Sequence, residues 1–356
     1  MIDQKIRVAL IFGGRSAEHE ISIMSATSIF DNLDRGKFDV ICIYINRDGD
    51  WKAVESPRMS QGEKITGEFS SFLPWDEGSV STVIQADIYF PILHGPFGED
   101  GTIQGLFEMA DVAYVGAGVL ASSGLMDKAT AKDVFKAKGL PIVEHRTLLE
   151  RDWLRSPSKN LSEVENDFQL PVFVKPANLG SSVGISKVGD LGSLKDAIET
   201  AFIYDRKIII EQGVDAREIE CSVLGNDEPR ASIPGELFPH REFYDYHDKY
   251  IGGKTRFSIP ADLTTDITRE VQEVAVRAYE ALDCTGLARV DFLLEKRTDR
   301  IFLNELNTLP GFTEISMYPK LWEASGLPFP KLLEELVELG IDRHKNKKRE
   351  GIRFQP

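Results

Sequence analysis

Apolar and polar positions fall in blocks along this chain, and the length and spacing of each block separate strands from helices. Ile6–Phe12 is a short, unbroken apolar run, the mark of a strand buried on both faces. Gly13 and Gly14 close it in a tight turn, and Ala17 to Asn32 then follows helical spacing. Val40–Ile45 and Ala86–Leu93 are further strand-like runs, the second ending at His94. Between them, the Ser-, Gly- and Glu-rich stretch 56–83 predicts loop. A helix over 102–110 and a strand over Val112–Val115 follow. This strand–helix rhythm predicts an open parallel α/β sheet, with ligands at the carboxyl edge of its strands.

The pattern changes near Lys128. Lys128 to Lys138 predicts a helix closed by Gly139, with Pro141 behind it. Strand-like segments at 142–148, 170–176, 183–188 and 207–212, with an amphipathic helix near 191–203, outline a small α+β unit. A second such unit opens at Glu218, with strands at 218–224 and 230–238, a helix over 266–282 and a hairpin across 287–306. Terminal helices near 319–324 and 330–339 complete it. The expectation is an α/β domain over 1–127, then two α+β lobes over 128–217 and 218–356. A chain of 356 residues exceeds what one core usually supports, which agrees with several units.

Composition narrows the function. Hydrophobic residues make up 42% and charged residues 28%, as in an ordinary globular protein. No apolar run is long enough to cross a bilayer, and the N-terminus opens directly into a strand, so a cytoplasmic protein without a membrane partner is expected. A formal charge of −15 argues against a nucleic-acid partner, which would need cations against phosphates. The basic run Arg343–Arg349 reads as a solvated tail after the last helix. Cys42, Cys221 and Cys284 lack C-x-x-C spacing and read as reduced core residues.

Two segments carry candidate chemistry. In the 287–306 hairpin, alternation puts Asp291 beside Arg289 on one strand face, and Glu305 beside Asn307 on the partner. These oxygens suit Mg²⁺ when phosphate completes its shell, and the Arg suits an anionic transition state. Residues 170–186 form an apolar strand ending in Lys175-Pro176, followed by a loop with Gly180, Ser181, Ser182 and Gly184. A lysine at a strand end beside backbone donors can hold polyphosphate. It is not a Walker A loop, because the chain has no G-x-x-x-x-G-K-[ST] string. Gly116–Ala121 satisfies the loose G-x-G-x-x-A pattern, but it lies deep in the chain without the acid that should follow, so an NAD site is discounted.

The Val-Lys-Pro strand, the Gly-Ser-Ser-Val-Gly loop and the Asp291/Glu305/Asn307 triplet together resemble the ATP-grasp superfamily, and in particular the D-alanine–D-alanine ligase family. The resemblance spans nearly the whole chain. It takes in Phe12–Ser22, Ile92–Gly105, Met126-Asp127-Lys128, Ile210–Val214, Phe243–Tyr250, Asn307–Thr313 and Ser316-Met317. What it implies is ATP-dependent joining of two D-alanines through an acyl phosphate, in an architecture where two α+β lobes grip ATP. It also implies a homodimer.

Carried over residue by residue, the resemblance implies that Lys128 and Lys175 neutralise ATP phosphates while Gly180–Gly184, with Ser181 and Ser182, close over the γ-phosphate. Glu211 and the Val214 backbone would read the adenine edge, and Glu218 the ribose hydroxyls. Gln212 stands where many relatives have lysine, a change of little expected effect. Asp291, Glu305 and Asn307 would hold Mg²⁺, two ions with Glu305 shared and Mn²⁺ able to substitute. Arg289 and the Gly311 N–H would stabilise the tetrahedral oxyanion. Glu18 would pair with the first D-alanine's ammonium, and His94 would help fix that substrate. Ser316 and the Met317 backbone would receive the second D-alanine's carboxylate. The aromatic stretch 240–253 resembles a mobile loop that brings Lys249 to ATP and Tyr250, through Ser181, to Glu18. Taken by itself, Glu18 is also simply an acid in a first helical turn. Rival readings are another ATP-grasp ligase, of the biotin-carboxylase or glutathione-synthetase kind, and a non-catalytic nucleotide-binding regulator.

Overall fold

The structure is a computed structural model that describes residues 5–60, 85–180, 182–238 and 256–347. Three sheets organise it. The first is built from β1 (Ile6–Gly13), β2 (Phe38–Ile45), β3 (Trp51–Val54) and β4 (Ile88–Pro91) in the order β3-β2-β1-β4. β1 is parallel to both β2 and β4, and β3 pairs antiparallel with β2. β1 is apolar on both faces because both are covered. Val8, Leu10 and Phe12 pack under helix α1 (His19–Asn32), and Ala9 and Ile11 face α2 (Thr102–Met109). The stretch expected as a strand at 112–115 forms only an isolated bridge, Tyr114 against Tyr89.

Helix α3 (Val119–Met126) follows Gly116, and α4 (Lys128–Ala137) begins immediately after it. Asp127 caps α4 by accepting from the Thr130 N–H at 2.9 Å, and Gly139 at φ +66 ends it. The second sheet runs β5-β8-β6-β7, from β5 (His145–Leu149), β6 (Val172–Pro176), β7 (Ser186–Val188) and β8 (Lys207–Gln212). Helices α5 (Glu150–Arg155), α6 (Pro157–Asp167) and α7 (Leu191–Phe202) cover one face, with Trp153, Val164 and Ile198 in its core.

The third sheet is antiparallel, in the order β12-β11-β9-β13-β14 with β10 also on β9. It comprises β9 (Ala216–Gly225), β10 (Arg230–Ala231), β11 (Gly235–Phe238), β12 (Arg256–Ser258), β13 (Gly286–Glu295) and β14 (Ile301–Asn307). The expected strand at 230–238 is broken into β10 and β11 because Pro234 cannot donate to the ladder. Helix α8 (Thr265–Ala281) lies against this sheet through Val271, Ala275 and Ala278. Two helices end the described chain, α9 (Met317–Ala324) and α10 (Phe329–Lys347).

Helix α10 corrects the reading of a basic tail. Residues 343–347 are its last turns, and they return to the first sheet. Buried Arg343 donates to the carbonyls of Gly116 and Tyr114, and stacks 4.0 Å from the Tyr114 ring centroid. Gly340 permits this approach, since a Cβ there would sit 2.7 Å from the Tyr114 carbonyl oxygen. Farther along the run, Lys347 pairs with Glu108 at 2.6 Å, and His344 lies 3.7 Å from Asp111. The three cysteines are buried and unbridged.

Candidate active site

The carboxyl edge of the first sheet, the start of α4 and the β13–β14 hairpin meet at one cleft. Glu18, His94, Lys128 and Gly180 line it on one side. Arg289, Glu305, Asn307, Gly311, Ser316 and Met317 line it on the other.

Local turn chemistry delivers Glu18. Gly13 at φ +93 swings the chain over the end of β2, where a Cβ would fall 2.2 Å from the Ile45 carbonyl oxygen. The Gly13 N–H then donates to Ser22 Oγ at 2.7 Å, which fixes the start of α1. Glu18 is the N-cap residue of α1, yet its side chain makes no capping bond. Its carboxylate lies instead against two glycines: a Cβ would reach Glu18 Oε2 at 2.7 Å from Gly95 and 3.5 Å from Gly180. Ser16 Oγ ties this corner to the sheet edge by donating to the His94 carbonyl at 2.7 Å.

The His94 ring is buried. Its Nδ1 lies 3.1 Å from the Leu309 carbonyl, which accepts, and its Nε2 lies 3.1 Å from Ser25 Oγ. Burial alone would lower its pKa, but Glu99 (3.7 Å away), Glu18 and the Leu309 carbonyl outweigh that and raise it. Ser25 also accepts from the Phe312 N–H at 3.2 Å, so the histidine and the Pro310-Gly311 turn share a support.

The lysines come from α4 and β6. Lys128 Nζ donates to the Leu179 carbonyl at 2.5 Å and lies 3.9 Å from Glu305 Oε2. Lys175, at the end of β6, pairs with Glu211 Oε2 at 2.5 Å, and Lys132 lies 2.9 Å from Glu211 Oε1. The Glu211 side chain, expected to read adenine, makes these two ion pairs. Its carboxylate is 3% exposed and clamped between two ammonium groups. Burial pushes the Glu211 pKa up, but Lys132 and Lys175 overcome it and hold the group down to about 2. Val214 lies in the turn between β8 and β9, and Glu218 lies on β9 opposite Leu293. Gln212 braces that turn by donating to the Gln169 carbonyl at 2.7 Å. In the glycine loop, Ser182 takes φ 59 and Gly184 φ +73.

The hairpin carries the acidic face. Asp291 sits directly opposite Glu305, and Arg289 opposite Asn307. A bulge follows, since Phe292 pairs with Leu303 and leaves Asn304 as the extra residue. The bulge lets Leu303 and Leu306 both enter the core while Glu305 and Asn307 face the cleft. Arg289 grips Asp291 with two bonds, at 2.7 and 2.6 Å, and approaches Glu220 Oε2 at 3.2 Å. Burial lowers the Arg289 pKa, but Asp291, Glu220 and Glu305 more than offset it, so the guanidinium stays charged.

Two carboxylates and an amide make an all-oxygen donor set, which fits a hard divalent cation. Asp291 keeps lone pairs beyond the two that Arg289 takes. Among the described residues no three acids, histidines or cysteines are arranged to hold a metal ion by themselves. A cation bound to this set would need further oxygens from elsewhere, as polyphosphate would supply. Beyond the hairpin, Ser316 Oγ accepts from the Thr313 N–H at 3.0 Å, and Ser316 and Met317 open α9 with its N-terminus toward the cleft. Ser181, Lys249 and Tyr250 lie outside the described residues.

Two family models match this chain, the D-ala D-ala ligase N-terminus over residues 7–117 and the D-ala D-ala ligase C-terminus over residues 134–338. The chain belongs to the D-alanine–D-alanine ligase family. The D-alanine–D-alanine ligase of Heliobacterium modesticaldum is 48% identical, over 99% of each chain. Among solved structures, the D-alanine-D-alanine ligase from Coxiella burnetii superposes with a TM-score of 0.84 at 37% identity, over 97% of this chain and 96% of that one. The VanG D-Ala:D-Ser ligase from Enterococcus faecalis gives 0.83 at 34% identity, over 95% and 100%.

In this ligase-family chain the cleft lining and the residues packed around it include groups that sequence reasoning did not single out. Lys132 is one helical turn beyond Lys128, a spacing that marks a shared face. Glu220 alternates with Glu218 on β9 and so shares its face. Glu99 and Ser25 support His94 from residues distant in sequence, and nothing local announces them.

Proposed function

We propose that this chain joins two D-alanines to D-alanyl-D-alanine at the expense of ATP, releasing ADP and phosphate and supplying a precursor of the cell wall. The observation that carries this reading is a cleft lined by a buried carboxylate, Glu18, together with Lys128 and with Arg289 in its pair with Asp291. That is the charge pattern an amino acid and a polyphosphate need together. ATP is gripped between residues 128–217 and 218–356, while residues 1–127 carry the first substrate. The protein works in the cytoplasm as a homodimer, and no described helix is long and apolar enough to cross a membrane.

Glu18 pairs with the ammonium of the first D-alanine, and His94 helps fix that substrate. A carboxylate oxygen of the substrate attacks the γ-phosphorus, and ADP leaves. Lys128, Lys175 and the loop Gly180–Gly184, with Ser181 and Ser182, hold the transferring phosphate; the backbone at Val214 meets adenine and Glu218 the ribose. Asp291, Glu305 and Asn307 would hold Mg²⁺, two ions with Glu305 shared, which supplies neutralisation of phosphate charge. The neutral amine of the second D-alanine then attacks the acyl carbon, its carboxylate received by Ser316 and the Met317 N–H. Arg289 and the Gly311 N–H stabilise the resulting oxyanion until phosphate departs. Lys249 and Tyr250 close the site against water.

The test is product analysis after incubation with ATP, Mg²⁺ and D-alanine, with D-serine and D-lactate as competing acceptors. ADP release that requires D-alanine and yields the dipeptide is expected. ATP hydrolysis indifferent to the amino acid would instead indicate a nucleotide-binding regulator.

A further inference from the structure

Lys132 is 2% exposed, on the inner face of α4 one turn beyond Lys128. A lysine that deep in a protein demands a partner, and its partner is the Glu211 carboxylate at 2.9 Å. The same carboxylate meets Lys175 at 2.5 Å with its other oxygen. The β6–β8 register explains this, because Phe173 faces Glu211 and Lys175 faces Ile209, so Lys175 and Glu211 are diagonal neighbours on one sheet face. Two cations share one anion, so these three groups alone sum to +1, with Glu305 and Glu218 acting on Lys175 from farther off. The shallower cation is Lys175, whose side chain is 13% exposed against 2% for Lys132. The deep lysine therefore spends its charge on Glu211, and the shallow one keeps its own. A buried two-to-one charge cluster is a poor stability device, since apolar groups of the same volume often serve better. Its value lies in the charge left over.

We propose that Lys132 is a positioning residue for the nucleotide: it neutralises Glu211 so that the charge of Lys175 remains available to polyphosphate. Without Lys132, Lys175 and Glu211 form a neutral pair that offers an anion nothing. Lys132 also ties α4 to β8, so the two helix-borne and strand-borne phosphate lysines, Lys128 and Lys175, are set by one link. The inference rests on the reading of Lys175 as a phosphate-binding residue.

The test is calorimetric titration with ADP, alongside steady-state kinetics, on Lys132→Met, Lys132→Arg, Glu211→Gln, Lys175→Met and the double variant Lys132→Met/Glu211→Gln. Lys132→Met should weaken ADP binding about tenfold or more, which is ~1.4 kcal/mol, while the KM values for D-alanine stay within about twofold. Lys132→Arg should retain ADP affinity. Glu211→Gln, which leaves two uncompensated cations, should tighten ADP binding. The double variant restores a net charge of +1 and should recover most of what Lys132→Met loses. A packing role for Lys132 gives the opposite pattern, with the double variant no better than the single one and D-alanine affinity falling in parallel, and that pattern overturns the proposal. Should Lys132→Met fail to fold, weaker ADP binding by Glu211→Gln overturns it as well. If Lys175→Met leaves ADP affinity unchanged, the underlying site reading fails; if it weakens ADP while Lys132→Met does not, only the role of Lys132 falls.

Discussion

Replacing Glu18 by Gln separates two roles that one acid can play. At the head of α1 a carboxylate favours the helix dipole, a contribution of roughly 0.3–1 kcal/mol. Glu18 makes no capping hydrogen bond, so on the helix the amide variant loses that charge effect, and with it the pull on His94, and the fold should survive with a small drop in Tm. The ammonium of an amino acid would lose much more. Glu18 is 8% exposed and its carboxylate lies between Gly95 and Gly180, so a cation meeting it there is largely desolvated. A charge-assisted hydrogen bond in such a place contributes about 1.5–3 kcal/mol, or roughly 10- to 150-fold in affinity. The assay is steady-state kinetics with each D-alanine site resolved by its concentration dependence. The expected result is a 10- to 100-fold rise in the KM of the first D-alanine, with the KM of ATP nearly unchanged. Equal rises for both substrates, or a large loss of Tm with neither KM changed, would refute the assignment.

Glu305→Gln removes an anionic oxygen from the facing set on β13 and β14 and should cut turnover by roughly a thousandfold or more; near-normal turnover at saturating Mg²⁺ would sink the metal assignment. Arg343→Met leaves the buried Gly116 and Tyr114 carbonyls without their donor, so it should cost about 3 kcal/mol in urea unfolding while kcat of the folded fraction holds. The Glu211 pKa falls on folding from 4.5 to about 2, so its stabilisation is full above 4.5 and lost as pH drops through that window. By linkage this is on the order of 3 kcal/mol, and acid-unfolding curves of Glu211→Gln should be correspondingly flatter between pH 4.5 and 2. Burial pushes the thiols of Cys42, Cys221 and Cys284 up to about 12, so a thiol reagent should label none of them until the protein unfolds.

Local pattern was enough wherever an element answers to its own neighbours. Ile6–Phe12 reads as a doubly buried strand because both faces of β1 are covered, and Lys128–Gly139 reads as a helix because its cap and stop residues are adjacent in sequence. The reading failed where the deciding partner is remote. Arg343 looked like solvated charge, and its partners lie 227 and 229 residues away. Strict alternation placed Asp291 and Glu305 on the hairpin but could not show the bulge at Asn304, which depends on which leucines the core accepts. Helices α5 and α6 and strand β3 went unread, because their short segments carry too few apolar positions to fix a period. In the cleft, residue types in the right order suggested Lys128, Lys175 and Glu305, yet the engagement of Glu211 by two lysines required the packing of α4 on β8.

A chain of formal charge −15 that binds a polyanion poses an electrostatic problem, and the cleft resolves it by distance. At physiological salt the Debye length is about 8 Å, so exposed acids farther off are largely screened from a bound phosphate. Buried and half-buried groups are screened much less, among them Lys128 and Arg289 in the cleft lining and Lys132 and Lys175 on Glu211. Each of them already contacts an acid of the site: Glu305, Glu211 or Asp291. These pairings hold long side chains in place before any ligand arrives, which lowers the entropy cost of binding. They also mean that an anion must compete with a carboxylate for Lys128 and for Arg289. Divalent cations on the acidic face would ease that competition by occupying Asp291 and Glu305, leaving Lys128 and Arg289 freer for the anion. Nucleotide affinity and metal affinity should therefore rise together, and each should be measurable as a shift in the other.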